Sequence, residues 1–195
     1  RRRPLLQRGR VWPLGLLGIS LWLCSLPIAY PSSHEGKFSA THFSLPFAGP
    51  ARVLVGGEER TKNRFLFDPS RRFGSVFAAG AGAPLTVLAP AAGRIAARSQ
   101  GELVLCISEA EYLFLEGLEP GSCALEPGSE VSRGQVLARA PGPLTVFLQD
   151  GLERGRAEGI PMRYFGYESD GRVAESGVPI PPQEVANLES GPAGD

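Results

Sequence analysis

Chemistry that depends on imidazoles has little to draw on in this chain. Its 195 residues include two histidines, His34 and His42, and three cysteines, Cys24, Cys106 and Cys123. A catalytic zinc takes three protein ligands from His, Cys or carboxylate and keeps one position open for water. The carboxylate that stands out is Asp68, which closes the stretch Asn63-Arg64-Phe65-Leu66-Phe67-Asp68. One carboxylate cannot hold a borderline-soft ion against solvent. Both histidines lie upstream of it and read as solvated or cap-forming side chains. Nucleophilic catalysis fares no better, because a Ser/His or Cys/His couple needs a nearby imidazole and no Gly-x-Ser-x-Gly elbow occurs. There is no Gly-x-x-x-x-Gly-Lys phosphate loop either.

The elements that would have to position any site are short strands. With 25 glycines, 18 prolines and 43% hydrophobic residues, the composition favours a packed, turn-rich β domain. Turns at Pro120-Gly121, Pro127-Gly128 and Arg133-Gly134 separate short apolar pieces, as glycine's access to positive φ allows. Strands are expected at Phe43–Phe47, Arg52–Val55, Asn63–Asp68, Leu85–Leu88, Gly93–Arg98, Glu102–Ser108 and Glu111–Leu115. Four more pieces follow, one ending at Val131, then Gln135–Arg139, Pro143–Leu148 and Ile160–Phe165. Pro69–Ala83, rich in Gly, Ala, Ser and Arg, reads as a loop. No stretch carries a long helical period, so the expected class is all-β, a small hybrid barrel or sandwich of antiparallel strands. The segment from Val178 onward holds four prolines and no periodicity, and residues 169–195 are expected to form a flexible tail.

The termini and charge suggest where such a domain works. Residues 1–10 carry five arginines and no acid, and residues 11–30 carry no charge. This is the pattern of a secretory signal or an N-terminal membrane anchor. Pro27 and Tyr30 make a poor cleavage site, so both options stay open. Residues 31–41 read as a linker and 42–168 as the domain. The expected location is the periplasm or cell envelope, with membrane contact only through residues 11–30. Net charge is zero, and removing the basic leader leaves a mildly acidic body, which argues against a nucleic-acid partner. In an oxidising compartment Cys106 and Cys123 could pair, or Cys106 could simply be packed in its strand.

The order of phrases in the body resembles the LytM/lysostaphin-type zinc endopeptidases of peptidoglycan, the twenty-third metallopeptidase family. The family's "GxxVxAxxxGxV" corresponds to Gly82 through Ile95. Its tyrosine strand with "HL" corresponds to Glu111-Tyr112 and Gly117-Leu118, and its "pGxxVxxGqxlA" to Pro127-Gly128 through Leu137-Ala138. Its "PHLHF" falls on Pro143-Leu144-Thr145-Val146-Phe147, and its closing "ipvxF" on Ile160 through Phe165. The resemblance spans about Leu45 to Glu168. Lipoyl and biotin carriers share the turn phrase, but their swinging-arm lysine would have to be Lys37 or Lys62, and neither lies in a hairpin of that unit.

What the resemblance implies is a zinc held by a histidine, an aspartate and the second histidine of the HxH pair. The corresponding positions are Arg60, Asp68 and Val146, with Gly117 and Leu144 where the family has assisting histidines. Only Asp68 keeps a ligand type. Arg60 would repel a cation and could pair with Asp68. Tyr112, Phe114 and Phe147 are expected in the core or as the wall of the former groove, whose candidate residues are Arg60, Asp68, Tyr112, Leu144 and Val146. The expectation is therefore a degenerate domain without a metal, which binds peptidoglycan or regulates a cell-wall hydrolase. The alternatives are an active zinc endopeptidase, with zinc as cofactor, and an envelope structural or secretion-adaptor module.

Overall fold

The structure, a computed structural model, describes residues 16–22, 32–57 and 62–188. The chain divides into two units, residues 1–30 and 31–195. Within the first, residues 16–22 are helical. Among the described residues no helix is long and apolar enough to cross a membrane.

The described residues of the second unit form thirteen strands. They are β1 (Ala51–Val55), β2 (Ser75–Ala79), β3 (Leu85–Leu88), β4 (Gly93–Ser99), β5 (Glu102–Ser108), β6 (Glu111–Glu116) and β7 (Glu130–Val131). After these come β8 (Val136–Ala140), β9 (Leu144–Gln149), β10 (Gly159–Ile160), β11 (Tyr164–Ser169), β12 (Arg172–Gly177) and β13 (Glu184–Asn187). Eleven form one sheet in the order β12-β11-β13-β1-β2-β9-β6-β5-β4-β7, with β10 beside β9, while β3 and β8 form a separate pair. The paired strands run antiparallel, as expected for an all-β domain. The large sheet is open at β12 and β7, so the fold is layered rather than a closed barrel.

Alternation explains which side of each strand is buried. In β1, Ala51, Val53 and Val55 face inward while Arg52 and Leu54 face out. The central strands β5, β6 and β9 are apolar on both faces, and their sequences accordingly read as near-continuous hydrophobic runs. One large core joins Leu103, Leu105, Leu113, Leu115, Leu144, Val146 and Leu148 of the sheet to Leu85, Val87, Leu137 and Ala138 of the β3–β8 pair. Phe43, Leu45 and Phe47, all without solvent exposure, fill the same core. A second, smaller cluster lies on the opposite face and consists of Val104, Phe114 and Phe147.

Several expected elements take another form. Phe43–Phe47 makes only isolated bridges, Phe43 to Tyr164 and Phe47 to Val87, and is no strand. Asn63–Asp68 is a run of turns. The buried Asn63 amide donates to the carbonyls of Gly57 and Arg72 at 3.0 and 2.9 Å and accepts the Phe65 N–H at 2.9 Å. Short polar side chains that bond nearby backbone in this way compete with a ladder. The stretch Pro69–Ala83 contains β2, whose Phe77 packs against Phe47 and Tyr164 with ring centroids 5.0 and 5.9 Å apart. Ile160–Phe165 is divided between β10 and the start of β11, with Pro161 in between. Residues 169–187, expected to be flexible, supply β12 and β13. Val185 is fully buried, and β13 pairs with both β1 and β11. The Asp170-Gly171 turn, with φ of 49° and 75°, turns β11 back into β12 as a two-residue hairpin loop. Cys106 and Cys123 are free thiols.

Candidate functional site

The second cluster lies on a sheet face that is covered by loops and charged side chains. On β6 and β9 the residues facing it are Tyr112, Phe114 and Glu116, opposite Gln149, Phe147 and Thr145. The rings of Phe114 and Phe147 stack at 4.9 Å with planes 7° apart. Two arginines cover them. Arg71, from the turns before β2, places its guanidinium 5.3 Å from the Phe147 ring centre, and Arg154, from the loop after β9, lies 5.7 Å from that of Phe114.

Carboxylates hold these arginines in place. Arg71 Nη2 donates to Glu116 Oε1 at 2.8 Å, and Arg154 Nη2 contacts both Glu116 and Glu102. Glu102 and Glu116 are directly opposite on β5 and β6. Like charges in that position repel, and the Arg154 cation between them offsets the repulsion. The covering loops are also joined to each other. Ser70 Oγ donates to Ala157 O at 3.0 Å, Gly159 N donates to Pro69 O at 2.8 Å, and the buried Gln149 amide donates to Ser70 O at 3.1 Å. Phe114 and Phe147 are consequently almost fully shielded, at 2% and 1% exposure.

The sequence-derived site residues do not converge. Asp68 is half exposed and shapes its own turn, accepting the N–H groups of Ser70 and Arg71 at 3.0 and 3.3 Å, with Arg71 Nε 4.0 Å from its Oδ2. Leu144 and Val146, expected in the groove, are completely buried and point into the main core. The alternation of β9 puts Thr145 and Phe147 on the groove side instead. Gly117 has φ +93°, and a Cβ there would sit 2.3 Å from Pro143 O, so the backbone excludes any side chain at the position where the family has histidine. Tyr112 packs against the aromatic cluster. Arg60 lies outside the described residues.

Arg71, Arg154, Glu102 and Glu116 were missed by sequence reading. The signal was present for Glu116, which shares the two-residue period of Tyr112 and Phe114. Nothing local pairs it with arginines 45 and 38 residues away.

The donor set does not fit the zinc that the family resemblance implies. Both histidines are engaged elsewhere: His34 Nε2 lies 3.0 Å from Asp150 Oδ2, and His42 stacks on Phe165 with centroids 4.1 Å apart. Among the described residues no group of three or more His, Cys, Asp or Glu side chains could hold a metal ion. The carboxylates nearest the cluster already face guanidinium groups.

Among proteins of known structure, the chain is similar to the M23 metalloprotease pseudoalterin, from the deep sea. Identity is 16% over 70% of this chain and 95% of that one, with a TM-score of 0.46. It is also similar to a mutant catalytic domain of the prophage-encoded M23 protein EnpA from Enterococcus faecalis. There identity is 18% over 63% and 93% of the two chains, with a TM-score of 0.39. No protein-family model and no curated protein matches the chain. The likeness is one of fold, at identities that carry no function across.

Proposed function

We propose that the domain is a non-catalytic, LytM-like module of the cell envelope that binds peptidoglycan instead of cutting it. The observation that carries this reading is the engagement of the chain's two histidines, His34 with Asp150 and His42 with Phe165. Among the described residues no group of three or more His, Cys, Asp or Glu side chains could hold a metal ion for hydrolysis by a metal-bound water. What the face offers is recognition. Stacked aromatic rings suit apolar and sugar surfaces, and Arg71 and Arg154 suit the carboxylates of wall peptides, which guanidinium groups bind in two-pronged fashion. The arginine-rich leader followed by an uncharged run supports export.

The test is metal analysis of the purified chain beside sedimentation with isolated peptidoglycan. Substoichiometric zinc is expected, together with retention on the wall that falls when Arg71 and Arg154 are both replaced by alanine. Stoichiometric zinc with chelator-sensitive cleavage of wall peptides would overturn the reading. Failure to sediment would shift the assignment to a regulator of a wall hydrolase.

A further inference from the structure

Four buried polar side chains gather where the turns before β2 meet β9, and their hydrogen bonds nearly balance. Asn63, Ser70, Arg72 and Gln149 are 1, 6, 7 and 0% exposed. Asn63 donates to the carbonyls of Gly57 and Arg72 and accepts the Phe65 N–H. Ser70 Oγ donates to Ala157 O and accepts the Gly155 N–H at 3.3 Å. Gln149 Nε2 donates to Ser70 O. Two atoms of the group are left over. Arg72 Nε and Gln149 Oε1 are buried without a hydrogen-bond partner among the described residues, whereas buried polar atoms are paired in the large majority of cases.

The arginine makes the stronger demand. A guanidinium keeps its charge in proteins, so burial cannot be relieved by loss of a proton, and an unpaired buried charge is destabilising. Arg71 already pairs with Asp68 and Glu116, and Arg154 with Glu102 and Glu116. A ligand anion reaching either of those must displace a glutamate. None of the ion pairs among the described residues involves Arg72. Its backbone is held on both sides. The Gly74 N–H donates to Arg71 O at 2.7 Å, Asn63 Nδ2 donates to Arg72 O at 2.9 Å, and a Cβ on Gly159 would lie 3.4 Å from Arg72 N. A donor fixed in this way loses little freedom when it binds. Its planar fork matches a carboxylate. Gln149 Oε1, on a side chain bonded to the same turn, is an unmet acceptor that an amide N–H satisfies. The end of a peptide supplies both groups.

We propose that Arg72 receives the terminal carboxylate of a peptide ligand, with Gln149 Oε1 taking an N–H of the same ligand. That the peptide comes from the wall rests on the reading above; the carboxylate seat does not. Thermal melts of the full chain at constant pH and ionic strength test it, with chloride replaced stepwise by acetate, and then with N-acetyl-Ala-Ala against its C-terminal amide. The wild-type midpoint should rise by about 2–4 °C at saturating acetate. The acid peptide should reach the same rise at lower concentration, and the amide should give none. Arg72→Met, which keeps most of the alkyl stem without the charge, should lose the rise and melt in chloride no lower than the wild type. No rise in the wild type, a rise that survives Arg72→Met, or equal rises from acid and amide would overturn the proposal. So would an Arg72→Met chain that fails to fold or melts well below the wild type, because a carboxylate of the chain would then already pair the arginine. The melts need no wall material. A rise that depends on Arg72 beside failed sedimentation with peptidoglycan would keep the seat and remove the wall reading alone.

Discussion

The two faces of β6 and β9 are made by the same few residues and behave as different materials. Inward, Leu113, Leu115, Leu144, Val146 and Leu148 pack into the main apolar core, and all are 0 or 1% exposed. Outward, Phe114 and Phe147 are shielded just as fully, but by arginines, glutamates and two joined loops. The inner face is sealed by shape, and its stability scales with volume filled. The outer face is sealed by charge-assisted bonds between residues of separate elements.

Substitutions that move chemistry from one face to the other separate the two most sharply. Val146→His introduces an imidazole at a completely buried position, between Leu115 and the buried Ser75 on the neighbouring strands. Overpacking together with an unpaired buried polar group should destabilise the domain by about 3–5 kcal/mol in urea titrations. Added zinc should not recover it. Thr145→His, one residue along on the outer, partly exposed side, should cost far less. Equal losses at the two positions, or zinc-dependent recovery of the Val146 variant, would break the distinction between the faces.

A smaller effect is expected where the two faces meet at the end of β6. Gly117→Ala places a methyl group against Pro143 O at a backbone angle of φ +93°. The strain should cost about 1–3 kcal/mol and displace the start of β9, so thermal melts should show a lower midpoint. An unchanged midpoint would mean that the backbone at Gly117 can relax, and that room exists there for a larger side chain.

The sequence made the inner face legible and left most of the outer one hidden. Strands β3 to β6, β8 and β9 could be read because alternation and glycine turns are local signals. β2 was lost in a Ser- and Ala-rich stretch, since its one large inward residue, Phe77, gives no period by itself. β13 has four residues behind a proline-rich bend, too few to show alternation, and only pairing with β1 and β11 makes it a strand. Leu144 and Val146, named as groove residues from the resemblance, lie on the core-facing side of β9, and in a strand one step changes the face. The arginine cover could not be read, because it joins residues from two loops to a glutamate on a third element.

The smallest effect belongs to the turn at residues 32–37 and has a sign of its own. The hydroxyl and N–H of Ser33, with Ser32 and the charge of His34 in support, hold the Glu158 carboxyl below its ordinary value. A group with a depressed folded pKa adds stability that is complete above its unfolded value and is lost as pH falls through the folded one. Glu158 therefore keeps its bonds to Ser32 and Ser33 through the mildly acidic range and releases them only in stronger acid. Ser33→Ala removes the largest cause of the shift, so the Glu158 carboxyl resonance should titrate closer to that of a free glutamate. Hydrogen-exchange protection of residues 150–158 should then begin to fall at a higher pH than in the wild type. An unchanged titration would mean that Ser33 does not hold the carboxylate, and that the loop relies on Asp150 alone.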